Sequence, residues 1–223
     1  MSVSEGNTGG LARRDLLRGG IVASGLAVAG AAELWRPPQA HAVAQPTIFT
    51  TDDWNAEPPR DPITILNRRP NKIVVHHTAG PNSTDFSRAH AFALARSIQQ
   101  SHFARGWSDS GQHFTISRGG FIMVGRHHSL PTLNGGTRHV LGAHCLGQNE
   151  ESVGIENEGT YTNVQIRDEQ YAKLVRLCAY ICQQYDILPR NIHGHRDFVA
   201  TECPGDRLYA RLPTLRDDVR ALL

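Results

Sequence analysis

Ile73-Val74-Val75-His76-His77-Thr78-Ala79-Gly80 reads as a short buried strand that stops on two histidines. Its apolar run is β-branched, too short for a helix, and closed by a glycine. Downstream, Ser152-Val153-Gly154-Ile155-Glu156-Asn157-Glu158 reads as another strand. Strand side chains alternate, so Val153 and Ile155 share one face, and Gly154, Glu156 and Glu158 the other. Between them, Ser83-Thr84-Asp85 offers an N-cap. Ala91, Leu94, Ile98 and His102 follow at helical spacing, which puts His102 on or beside the apolar face. His113-Phe114-Thr115-Ile116 and Phe121-Ile122-Met123-Val124 flank Ser117-Arg118-Gly119-Gly120 and predict a hairpin. A second helix opens at Asp168, buries Tyr171, Leu174, Leu177, Cys178 and Ile181, and is expected to stop at Pro189. A last short helix is expected from about Pro213 to the end. This order implies an α/β domain, with a central mixed β-sheet flanked by helices.

The flanking sequence narrows the class of protein. The chain has 223 residues, with 23 basic and 21 acidic side chains. Without the first 42 residues, which hold four basic and three acidic side chains, the remainder has 19 and 18. That near-neutral balance sets nucleic acid aside as a partner. No stretch of about 20 apolar residues is present, so no membrane span is expected. Arg13-Arg14 precedes a weakly apolar, Gly- and Ala-rich run from Gly19 to Ala32, and Ala40-His41-Ala42 fits a small-x-small cleavage site. Residues 1–42 therefore read as a twin-arginine signal cleaved after Ala42, with an uncut membrane anchor as the alternative. The protein is expected to be secreted or cell-wall associated, as a monomer. Residues 43–223 make one domain, long enough to bury a core without staples. Residues 43–71 are a Pro- and Asp-rich lead-in, and 125–151 lack a clear period. Long irregular loops in compact domains are usually functional.

The strongest chemical signal is His193-Gly194-His195, followed by Thr201-Glu202-Cys203-Pro204-Gly205. It places imidazoles near a thiol in a loop after a helix. Zinc favours nitrogen and sulfur, and catalytic sites use three protein ligands. A histidine at the end of the first strand could supply the third. The alternative is ordinary surface histidines beside a buried cysteine, since the chain has twelve histidines. Cys178 and Cys182 lie one helical turn apart, which suits buried neighbours better than a disulfide.

Val74-Val75-His76-His77-Thr78-Ala79-Gly80 resembles the first signature of the peptidoglycan recognition protein and type-2 N-acetylmuramoyl-L-alanine amidase family. Gly194-His195-Arg196-Asp197 and Thr201-Glu202-Cys203-Pro204-Gly205 resemble the last. Ile98-Gln99-Gln100-Ser101-His102, Arg105 to Phe114, Gly142-Ala143-His144 and Gln148 to Ile155 resemble the middle. Asp53-Trp54-Asn55-Ala56-Glu57-Pro58-Pro59 resembles the opening motif of the recognition-protein branch. These motifs cover nearly all of 48–215, in order and with compatible spacing.

The resemblance implies a zinc ion in a surface groove, held by His76, His195 and Cys203. A thiolate and two neutral imidazoles would leave the site a net positive charge, able to polarise a carbonyl and acidify water. It implies a groove for the peptide stem lined by His77, His102, Trp107, His144 and Asn149. One departure stands out: recognition-type amidases carry a tyrosine where this chain has Gln112, which has no acidic proton. Gly154-Ile155-Glu156-Asn157-Glu158-Gly159-Thr160 instead resembles the anhydromuramoyl-peptide amidase branch, whose first glutamate activates water. That implies a catalytic Glu156, with Glu158 the weaker candidate and Thr201 a secondary oxyanion donor. Arg126 could bind substrate or brace its loop, and His127, His128 and His139 read as solvated loop residues. The activity implied is hydrolysis of the amide between muramic acid and L-alanine in peptidoglycan or muropeptides. The rivals are a noncatalytic peptidoglycan-binding protein and a stem peptidase using the same zinc.

Replacing Arg13 and Arg14 together by lysine should trap a precursor in the cytoplasm. Cell fractionation and N-terminal sequencing of the exported form, expected to begin at Val43, check this. Normal secretion of the variant would remove the twin-arginine assignment.

Overall fold

The computed structural model describes residues 42–223; the expected signal segment and its arginine pair lie outside the described residues. Within the described residues, strands β1 (Ile48–Phe49), β2 (Ile65–Leu66) and β3 (Lys72–His77) precede helix α1 (Arg88–Ala104). The hairpin β4 (Phe114–Ile116) and β5 (Ile122–Val124) leads to α2 (Ser129–Gly135), β6 (His139–Val140) and β7 (Ser152–Asn157). Then come α3 (Asp168–Tyr185), β8 (Ile192–Gly194), α4 (Asp206–Ala210) and α5 (Leu212–Arg220).

Six strands form one sheet in the order β1-β5-β4-β7-β3-β8, and β2 pairs with β6 apart from it. Only β4 and β5 run antiparallel in the large sheet. This is the expected mixed sheet between helices. Ile73, Val75, Val153, Ile155 and Ile192 face α3 and α5 and join the main core with Leu174, Leu177, Cys178, Leu215 and Val219. The opposite face packs α1 through Ala91, Ala95, Met123 and Trp54, and apart from Val74 its central strands turn polar or small residues to that side. One face of the sheet is thus sealed, and the other has room for a site.

Several local expectations shift. The cap of α1 is Ser87, whose hydroxyl accepts the His90 N–H at 3.1 Å. The α1 face that is buried runs through Ala91, Ala95, Gln99, His102 and Phe103, while Leu94 and Ile98 are only partly covered. Small residues let α1 approach the sheet closely, so the bulkier aliphatics sit at the flank. Helix α3 ends at Tyr185, before Pro189, because Asp186 turns left-handed with φ 60° and its N–H caps Cys182 O. The 125–151 segment contains α2 and β6 and is not an open loop. His139 is buried in β6, with Nδ1 3.0 Å from Arg68 O, and His127 pairs with buried Asp109 at 2.9 Å. Of the three histidines read as solvated, only His128 is exposed.

The lead-in is also built in. Trp54 is fully buried, and its indole N–H donates to Val124 O at 2.9 Å. Gln99 clamps Glu57 by accepting its N–H and donating to its carbonyl, both at 2.9 Å. Truncation of Trp54 should therefore act as a core deletion: Trp54→Ala is expected to lose about 3–5 kcal/mol in urea unfolding. A loss under about 1 kcal/mol would mean residues 43–71 are not part of the cooperative domain.

Candidate metal centre

Strand register assembles the site. Glu156 of β7 pairs with His76 of β3, and on the other side of β3, Val75 pairs with Gly194 of β8. The strands run parallel, so Glu156, His76 and His195, the residue after β8, emerge side by side at their carboxyl ends. Neighbouring strands lie about 4.8 Å apart, a spacing that lets side chains converge on one small ligand. The loop after the turn at His195–Asp197 then returns Cys203 to the same place.

The ligating atoms of His76, His195 and Cys203 all lie within 4.8 Å of one another, an arrangement able to hold a metal ion. The Cys203 sulfur is 3.6 Å from His76 Nδ1 and accepts the His77 backbone N–H at 3.4 Å. The rings of His76 and His195 are 4.5 Å apart. Burial lowers the pKa of both, and the neighbouring His195 lowers that of His76 further, so both are kept neutral, as metal ligation requires. Burial pushes the Cys203 thiol up to about 12, with the His77 N–H pulling the other way. A buried thiol of this kind gives its proton up to solvent readily only when a cation binds the resulting thiolate. His193 turns aside, 3.7 Å from Asp197 and stacked edge-on against Phe198.

Around this cluster runs a groove of about 690 Å³ lined by His77, His102, Trp107, His144, Glu156 and Thr201, among others. His102 stacks on Trp107 with ring centres 4.6 Å apart, and its Nδ1 accepts the Gly111 N–H at 3.0 Å. Burial, then Arg105, lowers His102 to about 4, so it is a neutral wall. His77 Nδ1 accepts the Tyr161 N–H at 3.3 Å. His144 Nδ1 lies 3.0 Å from His76 Nε2. Asn149 sits beside the groove, its Oδ1 accepting the N–H groups of His144 and Cys145 at 2.8 and 2.9 Å. The Thr201 hydroxyl oxygen accepts the Cys203 N–H at 3.2 Å, leaving its proton free.

The two glutamates separate cleanly. Glu156 lies in the groove, and burial pushes its carboxyl up to about 7 against the pull of Arg105. Glu158 is buried elsewhere, held by His90 Nε2 at 2.6 Å and the Arg118 N–H at 2.7 Å, and serves the scaffold. Arg126 is buried and donates to Ser110 O at 2.8 Å, so it braces the loop. Gln112 lines the groove; its Nε2 donates to Thr115 Oγ1 at 2.8 Å, and its Oε1 is buried with no partner among the described residues. The sequence singled out no role for Arg105, Thr160 or Thr162, which also line the groove. They stand in loops, where no periodicity marks direction.

Known proteins resemble this chain in sequence and in fold. The family profile for N-acetylmuramoyl-L-alanine amidase matches residues 66–206. A human N-acetylmuramoyl-L-alanine amidase is 33% identical over 175 residues, covering 76% of this chain and only 28% of the relative. The chain therefore spans little more than a quarter of that relative. The amidase endolysin LysCS from Clostridium intestinale superposes with a TM-score of 0.61 at 28% identity, covering 77% of this chain and 96% of its own. Peptidoglycan recognition protein LE, solved with tracheal cytotoxin, superposes with a TM-score of 0.66 at 28% identity, covering 75% and 92%.

The Glu156 environment has a measurable consequence in metal-free protein. A carboxyl whose folded pKa is raised binds its proton more tightly in the folded state. Its contribution is full below the unfolded value of 4.5 and fades as pH rises through about 7. Glu156→Gln should match wild type near pH 4 and exceed it by about 3 kcal/mol near pH 8, in urea unfolding with chelator present. A difference that does not change with pH would show that the carboxyl is well solvated.

Proposed function

The chain belongs to the N-acetylmuramoyl-L-alanine amidase family, and from that premise we propose that it is a zinc hydrolase cutting the amide between muramic acid and L-alanine. The observation that carries this is Glu156, set in register beside His76 at the edge of the ligand cluster. Two imidazoles and a thiol suit zinc and leave a coordination position for chemistry. Zinc held by His76, His195 and Cys203 would polarise the scissile carbonyl and make the attacking water more acidic. Glu156 takes the proton of that water and delivers it to the leaving nitrogen, because an amide anion is a very poor leaving group. The Thr201 hydroxyl donates to the developing oxyanion. The His77 N–H steadies the sulfur of Cys203 as a thiolate. His102 and Trp107 form an apolar wall for the stem peptide, and His144 and Asn149 continue the groove.

The substrate is read as peptidoglycan or a muropeptide, in keeping with the tracheal cytotoxin bound by the recognition-protein relative. We place the mature domain at 43–223 and its action outside the cytoplasm, after twin-arginine export. A binding-only role has one observation in its favour, Gln112, which cannot exchange a proton.

Mass spectrometry of purified muropeptide digested by the zinc-loaded protein decides between these. Wild type should release free stem peptide beginning with L-alanine. Glu156→Gln should keep zinc and fold and lose at least about 100-fold in kcat. Near-wild-type turnover by that variant would overturn the proton-transfer role. Binding without any product from wild type would establish the binding protein.

A further inference from the structure

We propose that His144 is a positioning residue that fixes the tautomer of His76 through a hydrogen-bond relay ending on the backbone of Gln148. The relay rests on the zinc reading above. Its direction follows from donor counting. The Ser152 hydroxyl lies 2.7 Å from Gln148 O, which can only accept, so its proton goes there. The Ser152 oxygen then accepts from His144 Nε2–H, 3.4 Å away. His144 Nδ1 is left as a lone pair and accepts from His76 Nε2–H at 3.0 Å. His76 Nδ1 is therefore the lone pair, and it is the nitrogen that faces Cys203 Sγ at 3.6 Å. The opposite tautomer would point an N–H at the metal position and set two lone pairs against each other at Ser152.

The surroundings hold the His144 ring in a fitted slot. A methyl group built on Gly154 would stand 2.5–2.7 Å from three atoms of the ring, and one on Gly142 would stand 2.7 Å from it. Asn149 pins the backbone on either side of the ring by accepting the His144 and Cys145 N–H groups. Gly154 thus has a purpose that strand propensity opposes: it removes a side chain so that an imidazole can lie on the sheet beside His76. Partners that orient a ligating histidine typically change metal affinity by about 10–100-fold.

The test measures zinc affinity of the exported protein by chelator competition without muropeptide, so a substrate-contact role for His144 would leave the result unmoved. His144→Phe and Gly154→Ala should each weaken zinc by about 10–100-fold. His144→Asn, whose Oδ1 can still accept from His76, should stay within a few-fold of wild type. Nitrogen NMR of the histidine rings in metal-free wild type should show His76 and His144 both protonated on Nε2, and Ser152→Ala should mix the His144 tautomers. Thermal melts confirm folding; should His144→Phe fail to fold, Gly154→Ala, His144→Asn and the tautomer measurement decide. Wild-type affinity in Gly154→Ala, or His76 protonated on Nδ1, would overturn the relay while leaving the zinc centre standing. Undiminished zinc binding by His195→Ala would overturn the centre itself, and the relay with it.

Discussion

The parallel pairing of β7, β3 and β8 is the constraint on which the site depends. Register sets Glu156 opposite His76 and brings His195 alongside at the same end of the sheet. A slip of one residue in β7 would turn Glu156 into the core and bring Ile155 or Asn157 to the groove. The hydrophobic alternation forbids that slip, because Val153 and Ile155 are buried against α3 and would have to change faces. Core packing on one side of the sheet therefore specifies catalytic geometry on the other. The site is built on strand ends more than on loops, which holds the carboxylate and one imidazole to the precision of the backbone.

The same asymmetry governs the electrostatics. The groove face of the sheet is shielded enough to keep its histidines neutral: burial lowers His76, His113 and His144 well below their ordinary values. Each then needs its remaining hydrogen-bonding atoms satisfied by neutral partners. His113 shows how this is met, donating to Val140 O at 2.8 Å and accepting the Gly154 N–H at 3.0 Å. Such an environment disfavours any charge without a counter-charge, and a divalent cation with a thiolate beside it supplies both.

What the sequence revealed was what period and spacing encode. The alternation of 152–158 placed Val153 and Ile155 inward and Glu156 outward, and the Gly-Gly turn located the hairpin. Spacing drew attention to the histidines and thiol of 193–203, but it was the family resemblance that chose His76, His195 and Cys203 among the twelve histidines. Hidden were the features set by tertiary contact. The α1 stripe of Ala91, Ala95 and Gln99 is weakly apolar, so Leu94 and Ile98 drew the reading toward the flank of the buried face, while Ala91 and His102 were placed on it. His139 looked solvated because a two-residue strand has no period to read. The left-handed Asp186 ends α3 with a residue that gives little warning, and Pro189 drew the boundary outward.

Gln112 gains a different meaning once its neighbours are accounted for. A proton carrier near the ligand cluster has to be titratable, positioned in the groove and free of structural duty. Glu158 fails the last condition, being held by His90 and the Arg118 N–H. The histidines of the wall fail the first in practice, since burial keeps them neutral and their nitrogens are engaged with backbone or with one another. Thr201 has a free proton but a hydroxyl too weakly acidic to exchange it. Glu156 alone among these meets all three conditions: it is a carboxyl, it lines the groove, and no hydrogen bond among the described residues ties it to the scaffold. A tyrosine at position 112 would therefore add a donor to a site that already has its proton carrier. The glutamine in its place has no acidic proton to offer, and its amide oxygen is buried away from the groove, so the proton transfer is left to Glu156.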